Sequence, residues 1–155
     1  MDFTGFSKED FAVLRADSGG EAIDMLNLIR LREAAVYGDG RQASGAEAYA
    51  AYGRISQPVF ARLGGRIVWR GRLDQILIGP KEEAWDICFI ARYPSTAAFA
   101  DMVRDPRYRE AMAHRQAAVA NSRLIRLGRL ADGASFDGAY HAVADQQGAR
   151  NSFAP

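Results

Sequence analysis

Three separated stretches, Met25 to Leu31, Gly64-Gly65-Arg66-Ile67-Val68-Trp69-Arg70-Gly71 and Trp85 to Tyr93, read as strands of one sheet. Each is apolar on both faces but admits arginine or aspartate on one face only. That is the pattern of a sheet backed by helices and closed in front over a partly polar space. The chain thus declares an architecture and a cavity, while no motif names its chemistry.

At 155 residues, with 48% hydrophobic and 25% charged residues, the chain is sized for one domain with a real core. Its 20 basic and 19 acidic residues leave a formal charge of +1 and are scattered. This speaks against nucleic acid or a membrane surface as partner. Lys8 and Lys81 are the only lysines. The rest of the positive charge is arginine, which holds carboxylates in a fixed two-point geometry but also follows from codon bias. Cys88 is the only cysteine, mid-strand in Asp86-Ile87-Cys88-Phe89-Ile90. It is expected to be a buried, inert small hydrophobe in a reducing compartment. No basic-then-apolar leader opens the sequence and no long apolar run occurs, so a cytoplasmic location is expected.

Ser7 with Asp10 reads as a capping box that opens a helix through Ala16, ended by Gly19 and Gly20. After Met25 to Arg32 comes a polar loop, Tyr37 to Ala43. Ser44 then caps a helix whose stripe is Tyr49, Tyr52, Ser56, Val59, Phe60 and Leu63. Pro58 predicts a kink or break near Ile55 to Gln57. The next strand is expected to run from Arg66 towards Ile78, turn at Gly79-Pro80-Lys81-Glu82 and return as Trp85 to Tyr93. Ser95 caps a helix, Asp105-Pro106 restarts a longer one to about Ala120, and Ser122 to Leu130 is the last strand. The order predicts a ferredoxin-like α+β domain over residues 23–130, preceded by a helical extension, 1–22, and followed by a tail, 131–155. Phe136, Tyr140 and Val143 are spaced for one short helix in that tail, which is expected to dock on its own domain or on a partner subunit.

Met25-Leu26-Asn27-Leu28, Gly64-Gly65-Arg66, Ile78-Gly79-Pro80, Trp85-Asp86, Arg92-Tyr93-Pro94-Ser95 and Asp105-Pro106-x-Tyr108 with His114-Arg115 resemble the bacterial domain-of-unknown-function 1330 family. The resemblance covers roughly Ile23 to Leu130 and implies membership of the dimeric α+β barrel superfamily, hence a homodimer. It leaves the reaction open, because relatives of that fold range from cofactor-free oxygenases and isomerases to ligand-sensing domains. A homodimer also follows from the sheet. Its face away from the helices is expected to carry Val68, Cys88, Ile90 and Leu124, too much apolar surface for a lone subunit.

A period of two along the strands places Ile67, Trp69, Trp85, Ile87, Phe89 and Ala91 against the helices. Arg70, Asp86, Cys88, Ile90, Arg92 and Arg126 then share the opposite face. There Asp86 is expected to orient Arg70 and leave Arg92 or Arg126 to meet a carboxylate or enolate, unless Arg70 and Asp86 are simply a cross-strand pair. Asn27, in an apolar strand, needs hydrogen-bond partners, either a neighbouring backbone or a ligand. Tyr52 and Tyr49 offer hydroxyls from the helix side or pack in the core. His114 is the candidate acid or base near neutral pH, with Asp86 as a second proton carrier, the alternative being a surface or capping histidine. No metal-ligand spacing and no phosphate loop occur, and no cofactor is expected. Two functions stay open. One is a cofactor-independent isomerase or oxygenase acting on a small apolar or aromatic acid; the other is a non-catalytic ligand-binding or scaffold dimer.

Overall fold

The computed structural model describes residues 3–133, 136 and 146–148. In chain order the elements are α1 (Lys8–Ala16), β1 (Ile23–Leu31), α2 (Gly45–Arg62), β2 (Arg66–Gly71), β3 (Ile87–Tyr93), α3 (Thr96–Arg104), α4 (Pro106–Ala118) and β4 (Val119–Gly128). The strands form one antiparallel sheet in the order β2-β3-β1-β4, with the helices packed on one face. This is the ferredoxin-like arrangement that the element order predicts, its second helix divided into α3 and α4. Of the tail, Tyr140 and Val143 lie outside the described residues.

The helix starts are set by the predicted caps. The Ser7 hydroxyl accepts from the Asp10 amide at 3.0 Å, and Ser95 does the same for Ala98 at 3.1 Å. Ser44 and Glu47 form a reciprocal capping box, 3.1 Å from the Glu47 amide to the Ser44 hydroxyl and 2.7 Å from the Ser44 amide to the Glu47 carboxylate. Asp105 accepts from the Arg107 amide at 2.8 Å and also holds Arg62 at 2.7 Å, tying the start of α4 to the end of α2.

Pro58 does not break α2, which runs unbroken from Gly45 to Arg62. An interior proline costs about 3 kcal/mol. Val59 and Phe60, both buried beside it, contribute about 1.5–3 kcal/mol each through burial, enough to hold the helix together. After Leu63 the chain reverses through Gly64, at φ 82°, a left-handed conformation that favours glycine. At Gly65 a Cβ would lie 2.4 Å from the Phe60 ring, so the pair allows β2 to start directly behind the helix.

The main core lies between helices and sheet: Ile23, Met25, Val59, Phe60, Ala91, Tyr93, Phe99, Met102 and Tyr108. A second cluster, Ile29, Ala48, Ala118 and Val119, lies nearer the loop after β1. β2 ends at Gly71 rather than near Ile78, and β3 starts at Ile87 rather than Trp85. The apolar run Leu73, Ile76, Leu77, Ile78 looks like strand, but Gly71 already pairs with Cys88 near the start of β3, so 72–86 forms an arm beyond the ladder.

Chain segments near residue 3 complete the sheet. The Ser122 amide on the outer edge of β4 donates to the Phe3 carbonyl at 2.7 Å, and the Phe3 amide donates to the Asn121 side chain at 2.9 Å. Arg115 holds the Thr4 carbonyl at 2.7 Å. A short strap thereby covers the edge of β4, while Arg66 to Arg70 of β2, the opposite edge strand, stays exposed.

Candidate functional site

Strand register decides which side chains share a face, and it corrects several expectations. In β2, Ile67 pairs with Ala91 but Trp69 pairs with Ile90, so Val68 is an extra residue in a β-bulge. Beyond the bulge the alternation inverts. Trp69, expected against the helices, lies on the open face, and Arg70, expected on the open face, turns to the side of Phe89. β4 also differs: Met25 pairs with Arg126 and Asn27 with Leu124, which puts Arg126 and Leu124 on the helix side. The open face instead carries Leu26, Leu28, Trp69, Cys88, Ile90, Ile125 and Leu127, with Arg92 and Arg123. Trp85 lies outside β3, with the Arg123 guanidinium 5.2 Å from its ring centre.

Most of the predicted site residues have hydrogen-bond partners within the chain. Arg92 grips Asp24 with two bonds, 2.7 and 2.9 Å, and this guanidinium holds the Asp24 carboxyl below its ordinary range despite the opposing effect of burial. Arg126 is bound by Asp17, whose carboxyl is lowered first by that bond and then by the Gly19 amide. The Asn27 amide donates to the Met25 carbonyl of its own strand at 3.0 Å. The Asp86 carboxylate accepts from the Leu31 amide at 2.7 Å, while its own amide donates to the Ile29 carbonyl at 2.8 Å. Asp86 therefore closes the end of β1 and does not orient Arg70.

Tyr52 and Tyr108 share a hydroxyl hydrogen bond of 3.0 Å among packed rings that include Tyr49. Burial pushes the phenols of Tyr49, Tyr93 and Tyr108 well above their ordinary value, so they stay protonated. Burial, reinforced by the Asp86 charge, likewise raises Cys88, in keeping with an inert thiol.

His114 has a partner that sequence spacing does not reveal. Its Nδ1 lies 2.6 Å from the Tyr37 hydroxyl, on the polar loop after β1. Arg41 stacks 4.6 Å from the centre of the Tyr37 ring and is paired with Asp39, whose exposed carboxyl is lowered to about 2 mainly by that bond. The loop is pinned to the end of α4 by Arg32 and Val36, whose amides donate to the Ala118 and Ala117 carbonyls at 2.8 and 2.9 Å. Tyr37 opens the predicted loop, but pairing it with His114 needs the tertiary fold.

Arg70 is different. Among the described residues it has no hydrogen bond or ion pair, and it lines a shallow depression of about 350 Å³ with Gly71, Arg72, Asp86, Ile87, Cys88 and Phe89. Arg72 pairs with Asp74 at 2.7 Å. The depression combines an apolar floor, Ile87 and Phe89, with a guanidinium at its rim, a combination suited to a small acid with an apolar body. Among the described residues no three His, Cys, Asp or Glu side chains come together to hold a metal, and no helix is long and apolar enough to cross a membrane.

The methylated RPA0582 protein is 58% identical, with a TM-score of 0.84 over 85% of this chain and 98% of that one. The RPA0582 protein of unknown function from Rhodopseudomonas palustris is 57% identical, with a TM-score of 0.82 over 85% of this chain and 100% of that one. SnoaB, a cofactor-independent oxygenase from Streptomyces nogalater, is 16% identical over 74% of this chain and 99% of that one, at a TM-score of 0.49, too distant to bear on activity. No curated protein matches. Residues 41–127 match the family described as Domain of unknown function (DUF1330), and the chain belongs to that family.

Proposed function

We propose that the protein is a ligand-binding homodimer that takes a small carboxylic acid with an apolar or aromatic body in the depression at the end of β2 and β3. The observation that carries this reading is Arg70, at the rim of that depression over Phe89 and Ile87 and without an ion pair among the described residues. A bound carboxylate would supply the missing counter-charge in a two-point geometry. Asp86, Arg92 and Arg126 are already engaged, which favours binding over proton transfer there. Self-association is supported by the open face, where Trp69, Ile125 and Leu127 are 50%, 43% and 40% exposed beside Leu26 and Ile90.

The test is a thermal-shift screen of small carboxylic and phenolic acids, since ligand bound to the native state raises its melting temperature. A hit should lose its shift in Arg70→Ala and keep it in His114→Ala. A hit that still shifts Arg70→Ala, or the absence of any hit at millimolar ligand, refutes the site. One observation favours a second reading, a cofactor-independent isomerase or oxygenase: the 2.6 Å phenol-imidazole pair of Tyr37 and His114 could take up a proton. Turnover of a hit that disappears in both Tyr37→Phe and His114→Ala would establish it.

A further inference from the structure

We infer that the arm formed by residues 72–86 reaches across to a second copy of this chain and supplies contact area that the sheet face alone lacks. This deepens the homodimer reading above and rests on it.

The first ground is position. The arm leaves the exposed edge strand β2, and its return leg is fastened on the open face: Glu83 holds Arg123 at 2.9 Å, with Trp85 packed on the same guanidinium. Arg123 pairs in register with Leu28 of the open face. The arm is thus continuous with the surface that the second copy is proposed to cover.

The second ground is area. The four strands hold 32 residues, which at about 3.3 Å by 4.8 Å each give the face a footprint of roughly 510 Å². Side-chain relief enlarges that figure, yet it starts well short of the ~800 Å² that a standard partner contributes. The missing apolar surface is at the arm tip, where Leu77 and Ile78 are 79% and 98% exposed. Two adjacent aliphatic side chains held this far into water gain little within one subunit. The tip backbone is nonetheless organised: the Lys81 ammonium donates to the Ile76 carbonyl and the Glu83 amide to the Pro80 carbonyl at 3.2 Å. The tip is therefore a formed turn that presents Leu77 and Ile78 outward.

The test is sedimentation of the full chain across a dilution series, comparing the wild type with Leu77→Ser/Ile78→Ser and with Ile125→Glu on the sheet face. The arm variant is expected to weaken self-association at least tenfold while circular dichroism stays unchanged, because both side chains already face water. Ile125→Glu is expected to abolish self-association. A wild type that is monomeric throughout overturns both the homodimer and the arm. A dimer that Ile125→Glu breaks but Leu77→Ser/Ile78→Ser leaves at wild-type strength overturns the arm alone. Alkylation of Ile78→Cys gives an independent readout, as Cys88 is buried. The new thiol should react several-fold more slowly at concentrations where the dimer forms than after dilution, and equal rates overturn the inference.

Discussion

Tyr37 and His114 are joined by a 2.6 Å hydrogen bond that fastens the loop after β1 to α4 across 77 positions of sequence. Removing the hydroxyl in Tyr37→Phe should cost about 1 kcal/mol, the ordinary net value of such a bond. In a domain of this size that is a fall of roughly 2–4 °C in melting temperature. Calorimetry checks the size, and a shift of the His114 ring signals in NMR shows that the bond itself was lost. An unchanged His114 spectrum would disprove the contact.

The Asp24 and Arg92 pair predicts how the protein responds to acid. The bond from Arg92 lowers the folded Asp24 carboxyl from its ordinary 3.8. A lowered folded value means that the ionised pair contributes stability that is fully present above 3.8 and lost as pH falls through the lowered value. Asp24→Asn should therefore be less stable than the wild type at neutral pH, and the gap should narrow as pH drops below 3.8. Urea titrations at several pH values measure it, and a gap independent of pH would contradict the pairing.

Asp86 separates a structural carboxylate from a catalytic one. Asp86→Ala should destabilise the fold by about 1 kcal/mol through loss of the bond to the Leu31 amide. Asp86→Asn keeps an oxygen acceptor and should recover most of that loss in a denaturant melt. If ligand binding also survives in Asp86→Asn, its charge has no part in the site.

Gly71 allows the Trp69 ring to lie along β2, since a Cβ there would meet the ring at 2.4 Å. Trp69 is half exposed within its own subunit, so Gly71→Ala should cost less than about 1 kcal/mol of that subunit's stability while changing the tryptophan emission. Gly53→Ala, where an added Cβ meets nothing within 4 Å, should leave the emission unchanged. Identical spectra for the two variants would show that the ring does not rest on Gly71.

The strands, caps and helix order were legible because each is a local pattern: Ser44 with Glu47, Asp105 before Pro106, Gly64 and Gly65 behind Leu63. Faces within a strand were legible only while the ladder stayed regular. The extra residue Val68 inverted Trp69 and Arg70, and the parity of Arg126 depends on how β4 registers against β1, which nothing in β4 itself encodes. The candidate site suffered most from this. Asp86, Arg92 and Asn27 have the residue types of a polar site, and each found its partner in the backbone or in a neighbouring strand. Pro58 shows the converse, a local break signal overridden by the burial of Val59 and Phe60 directly after it.

The strap at Phe3 has a kinetic consequence. Its hydrogen bonds to Ser122 close a loop of 119 residues, so they can form only after nearly the whole domain has been synthesised and β4 has paired with β1. Until then the outer edge of β4 offers its amides to any extended chain nearby. Aggregation during refolding should therefore track the time this edge stays uncovered, even in variants whose final stability is unchanged.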